Sequence, residues 1–82
     1  MDVKEAEAKA VEYLQDALHG SEIKITESKL GYVSTSSAYI MSGEFKDEKG
    51  TKQNFEVGVD EESGKIVSKK ISSPQEGSFR KT

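Results

Sequence analysis

Carboxylates are the reactive groups that cluster in this chain. Asp47-Glu48 and Asp60-Glu61-Glu62 stand in two short polar segments that close on Gly50 and Gly64. Oxygen-rich turns of this kind suit hard cations such as Ca²⁺. Neither follows the twelve-residue calcium loop with alternating ligands and a closing Glu, so a site built on them is open and weak. The two segments flank one predicted strand, about nine residues at ~3.3 Å each, which sets them roughly 30 Å apart. They are therefore two separate candidate metal sites. A helix antiparallel to the first strand would bring Asp2 and Glu5 towards Asp60–Glu62, and Asp16 and Glu22 towards Asp47-Glu48. A cation would relieve the repulsion among such carboxylates. Otherwise these residues are solvated turns.

The remaining reactive groups lack partners at a recognisable spacing. His19 is the single histidine; at a helix end it favours the negative pole of the helix dipole. Ser34-Thr35-Ser36-Ser37 offers hydroxyls without a neighbouring base or oxyanion donor, and the chain has no nucleophile elbow and no phosphate-cradling P-loop. Carboxylates on surface turns have no apolar surroundings to raise their pKa for acid–base work. The chain has no Cys, which removes disulfides, thiolate chemistry and cysteine-based zinc sites. A non-enzymatic protein is expected.

With 82 residues the chain accommodates one domain. Fifteen acidic against twelve basic residues give a net charge of −3, the wrong sign for nucleic-acid binding, which needs a basic stripe. No segment approaches the ~20 apolar residues of a membrane span. The charged start Met1-Asp2-Val3-Lys4-Glu5 lacks the apolar run of a signal peptide, so a cytoplasmic location is expected. Abundant Glu and Lys without Cys is a composition shared with thermophile proteins.

The elements that must position these groups follow from periodicity. Val3, Ala6, Ala10, Val11, Leu14, Ala17 and Leu18 recur at helical spacing over residues 2–19. Asp2 is the expected N-cap and Gly20 the left-handed C-terminal cap. Beyond Gly20 the period becomes two. Alternation predicts strands over about 22–29, 38–46, 52–60 and 65–72, with 31–37 as a loop in which Tyr32 and Val33 either anchor a partner or fold over the core. Gly43 marks a bulge or a close backbone approach. In the last strand Val67 and Ile71 share one face and Ile66 the other unless a bulge intervenes. The expected core is Ala10, Leu14, Leu18, Ile23, Ile25, Tyr39, Met41, Phe45, Phe55, Val57, Val59 and Ile71. Pro74, Gly77 and polar neighbours predict a flexible tail over 74–82. The expected fold is α+β, an N-terminal amphipathic helix packed on a four-stranded antiparallel meander over residues 1–73.

The run Phe55-Glu56-Val57-Gly58-Val59-Asp60-Glu61-Glu62-Ser63-Gly64-Lys65-Ile66-Val67 resembles the end of a PepSY domain: a strand, an aspartate, a Ser/Thr-Gly turn and a final strand. Tyr39–Phe45 and the leading helix are similar to that family's earlier elements, so the resemblance covers roughly residues 2–72. It implies a cystatin-like helix on a sheet and inhibitory or regulatory binding, as proposed for protease propeptides and cell-envelope proteins of that family. The expectation is a binding module with a protein partner, monomeric or weakly oligomeric, in which an edge strand, the first being the candidate, accepts a peptide by strand addition. The alternative is a Ca²⁺-binding protein using the acidic turns.

Overall fold

A computed structural model describes residues 1–73; the expected tail 74–82 lies outside the described residues. The order is α1 (Val3–Leu18), β1 (Ser21–Val33), β2 (Ser36–Lys46), β3 (Lys52–Asp60) and β4 (Ile66–Ser72). The strands form one antiparallel sheet in the order β1-β2-β3-β4, and α1 covers one face. This is the α+β meander expected from the periodicities.

Asp2 starts α1 through a capping box. Its Oδ1 accepts from Glu5 N at 2.9 Å, and Asp2 N donates to Glu5 Oε1 at 3.3 Å, which satisfies donors that the first turn otherwise leaves unpaired. Asp2→Ala is expected to cost about 1 kcal/mol, read as a lower urea midpoint at unchanged slope. At the other end the structure corrects the sequence reading. His19, not Gly20, takes the left-handed conformation, at φ 53°, and Gly20 N donates to Leu14 O at 2.9 Å. Glycine is needed at position 20 for space: a Cβ there would lie 2.9 Å from the Phe45 ring.

Ala6, Ala10 and Leu14, four residues apart, are the fully buried helix positions. Two alanines let the helix backbone come close to the sheet, which answers with Met41, Phe45, Phe55, Val57 and Val59. Phe45 and Phe55 meet edge to face with centroids 6.1 Å apart. Leu18, Ile23, Ile25 and Tyr39, expected in the core, are partly buried and pack at its margin, joined by Tyr13 and Ile66. Val3, at 38% exposure, and Ala17 lie outside the buried stripe. Ile71, expected in the core, is exposed on the β4 edge. Pairing shifts from Gly58↔Ser68 to Val59↔Ile66, so Val67 is an extra residue. The bulge turns Ile66 inward, and Val67 is 38% exposed.

A second bulge shapes β1. Ile25 pairs with Gly43 and Glu27 with Ser42, leaving Thr26 as the extra residue; its hydroxyl donates to Ser42 O at 3.2 Å. Here Gly43 lets β1 press against β2: the position a Cβ would occupy overlaps the Lys24 carbonyl oxygen and lies 2.9 Å from Ile25 Cα. The expected loop 31–37 shrinks to Ser34-Thr35, and Gly31, Tyr32, Val33, Ser36 and Ser37 are strand residues. Ser34 has φ 57° while Thr35 has no positive φ, the pattern of a tight II′ hairpin turn.

The sheet face away from the helix has a small apolar cluster of its own. Ala38 is fully buried there although it stands apart from the main core. Gly31 makes room for Ile40, whose Cδ1 would be 3.1 Å from a Cβ at that position, and Gly58 makes room for Val33 and Ser68. Val33 is thus a strand residue on the back of the sheet, neither in a loop nor over the core as its sequence position had suggested.

Candidate functional site

Both acidic turns are built around their aspartates. Asp47 Oδ1 accepts from Lys49 N at 3.0 Å and Thr51 N at 2.9 Å, and Oδ2 accepts from Gln53 Nε2 at 3.1 Å. Asp60 Oδ1 accepts from Glu62 N at 2.8 Å and Ser63 N at 2.9 Å. These are Asx-type turns, in which a side-chain oxygen stands in for a backbone carbonyl. The bonds hold both carboxyls below the ordinary 3.8: for Asp47 chiefly the Thr51 amide and then Gln53, for Asp60 the Ser63 and Glu62 amides.

This ties the turns to pH. The folded values lie below the unfolded ones, so the stabilisation is fully present above the unfolded range and is lost as pH falls through the folded values. Urea midpoints measured from pH 7 down to 2 are expected to fall below about pH 4. The double variant Asp47→Asn, Asp60→Asn is expected to flatten that limb, because its turn acceptors no longer titrate.

The five candidate metal residues are distributed accordingly. Asp47 and Asp60 are engaged by their own turns. Glu61 and Glu62 line a polar surface cleft with Asp60 and Thr35, Ser36 and Ser37, and Glu61 N donates to Ser37 O at 3.0 Å. Glu48 stands in the Asp47 turn. Of the four carboxylates expected to converge on these turns, Asp2 and Glu5 cap the helix and Glu22 pairs with Lys46 at 3.2 Å, while Asp16 is exposed on α1. No group of three or more metal-ligating side chains forms among the described residues. His19 is an exposed helix cap.

The structure exposes a different feature on β1. Antiparallel to α1, β1 rises roughly 43 Å over its 13 residues, whereas the 16 residues of α1 span about 24 Å. The excess lies beyond the helix N-terminus. Ser28 Oγ donates to Glu7 at 2.8 Å, and Tyr39 Oη donates to Met1 O at 3.2 Å, so the helix cover ends beside the Leu30↔Tyr39 pair. Leu30 and Tyr32, two residues apart on the helix-side face, are left 57% and 72% exposed. Met1 and Val3 are each 38% exposed at the adjoining helix start. Nearer the middle of β1, an open groove between α1 and β1 is lined by Ala8, Val11 and Ile25 and bordered by Glu7, Glu12 and Gln15.

β1 is also a sheet edge, so alternate backbone groups along it have no strand partner. Which ones follows from the ladder. Because Glu61 N donates to Ser37 O on the β3 side, Ser36 and Ala38 bond towards β1. Their partners Val33 and Gly31 are thereby engaged, and Ser28, Leu30 and Tyr32 point their N–H and C=O groups away from the sheet. The meander order made the first strand the edge candidate in the sequence reading; taking residues 31–37 as a loop concealed only that this edge runs on through Tyr32.

Comparison with family models, curated proteins and solved structures returns no match. No helix among the described residues is long and apolar enough to cross a membrane.

Proposed function

We propose that this chain is a non-enzymatic binding module of PepSY-like kind that engages a protein partner through the β1 edge. The observation that carries the reading is the coincidence of free backbone groups at Ser28, Leu30 and Tyr32 with the exposed side chains of Leu30 and Tyr32. An extended segment added to β1 gains backbone hydrogen bonds, and its alternate side chains cover Leu30 and Tyr32. Exposed tyrosines are common interface anchors, and Leu30 adds apolar area beside Tyr32. The PepSY resemblance of residues 2–72 agrees with regulatory binding.

A photoreactive residue placed at Tyr32 tests this, with the same residue at Lys70 on the opposite edge strand as control. Discrete adducts at position 32 that are absent at position 70 are expected. Equal labelling at both positions, or none at position 32, would overturn the proposal. The calcium reading has less behind it, because two of its five carboxylates already serve their own turns. An amide NMR titration with Ca²⁺, controlled by Mg²⁺, decides that alternative: saturable shifts confined to residues 47–50 or 60–64 would place it first.

A further inference from the structure

We infer that the occupant of the β1 edge is a second copy of this chain, paired antiparallel about a two-fold axis at Leu30. This deepens the edge-binding proposal above and rests on it.

The two sheet edges differ in their protection. β4 carries Lys69 and Lys70, and lysine on an edge strand is a common device against strand addition. Between Ser28 and Val33, β1 carries one charge, Lys29, and no proline. The regular ladder of β1 is bounded by the Thr26 bulge and the Ser34-Thr35 turn, so it runs from Glu27 to Val33 and is centred on Leu30.

A closed dimer must use the same patch on both copies, which restricts the choice of centre. A two-fold axis at Lys29 sets Lys29 against itself, and one at Glu27 does the same with Glu27, both unfavourable cross-strand pairs. An axis at Ser28 carries the ladder into the Thr26 bulge, beyond which the alternation of faces reverses. An axis at Gly31 sets Ser28 against the hairpin turn. An axis at Leu30 pairs Ser28 with Tyr32 of the other copy and Leu30 with its own equivalent. All the free backbone groups of the three residues are then bonded, no like charges stand directly opposite, and Lys29 faces a glycine. The exposed Leu30 side chains meet at the axis with the tyrosines beside them. The two sheets join into one, with both helices on the same face.

The absence of cysteine makes the register testable by introduced thiols. Hydrogen-bonded cross-strand partners lie with Cα atoms about 5.5 Å apart, within disulfide reach. Under mild oxidation Leu30→Cys is expected to give a covalent dimer. Ser28→Cys alone and Tyr32→Cys alone are not, whereas an equimolar mixture of those two variants is. Sedimentation equilibrium of the wild type should show mass rising towards twice the monomer with concentration, and Leu30→Lys should hold it at monomer mass with an unchanged circular dichroism spectrum. A wild type that stays monomeric at millimolar concentration, or a Leu30→Cys variant that crosslinks no faster than Ser28→Cys alone, would overturn the second copy. Adducts of Tyr32 with a different protein in the photolabelling experiment would then keep the edge-binding proposal standing, and absence of any adduct would remove both.

Discussion

Replacing Gly43 by alanine is expected to lower the unfolding free energy by about 3 kcal/mol, at the upper end of what overpacking costs. A Cβ at position 43 has no room, because the obstacles are the backbone of Lys24 and Ile25 and not the ends of flexible side chains. Relief requires β1 to move away from β2 where Thr26 bulges, and that strains the Ile25↔Gly43 pairing and the Phe55 pairing on the other side of Gly43. A domain of this size has on the order of 4–12 kcal/mol of stability in all, so the variant should melt far below the wild type or fail to accumulate folded. Gly50→Ala separates this from the general cost of losing a glycine. Position 50 has φ 83° and nothing within 4 Å of a built Cβ, so only backbone strain of about 1 kcal/mol is expected. Equal urea midpoints for the two variants would contradict the close-approach explanation.

The second large effect is expected at Leu14. It is fully buried in the same core cluster as Ala10, Phe45 and Phe55 and is among the largest side chains with no solvent contact. Leu14→Ala should cost about 3 kcal/mol, the transfer term plus an unfilled cavity. For a domain of this length that corresponds to a melting temperature lower by roughly 15 °C. Leu18, one turn later and only partly buried, should cost less than half as much on the same change. Comparable losses at the two positions would mean that the last turn of α1 packs more tightly than the structure indicates.

How far the sequence could be read depended on how local each cause was. The helix was legible because its apolar period and the Asp2 N-cap lie within one or two turns of chain. β2 and β3 were legible because Tyr39, Met41 and Phe45, and Phe55, Val57 and Val59, alternate without interruption. β1 was read too short because polar and small residues at 34–37 resemble a loop, whereas only Ser34 and Thr35 turn the chain. Ile71 faces the helix side, as its pairing with Phe55 requires, but stands on the β4 edge where the helix does not cover it; the Val67 bulge re-aims Ile66, the alternative its position in the sequence had left open. Gly20 was assigned a dihedral role when its true constraint is the Phe45 ring, which is distant in sequence.

The acidic turns show the same division. That Asp47 and Asp60 begin tight turns follows from neighbouring residue types. That their carboxylates are consumed by backbone amides within those turns, and that Glu22 goes to Lys46, depends on conformation and cross-strand register. By itself the sequence determined the element order, the helix N-cap, the buried faces of the central strands and the α+β class, because each arises from periodicity or from contacts a few residues apart. Only the tertiary structure decided where the helix stops covering the sheet, and therefore that Leu30 and Tyr32 stand exposed on a free edge. That outcome depends on the difference in length between a helix rising ~1.5 Å and a strand rising ~3.3 Å per residue, and on the bulges that set their register.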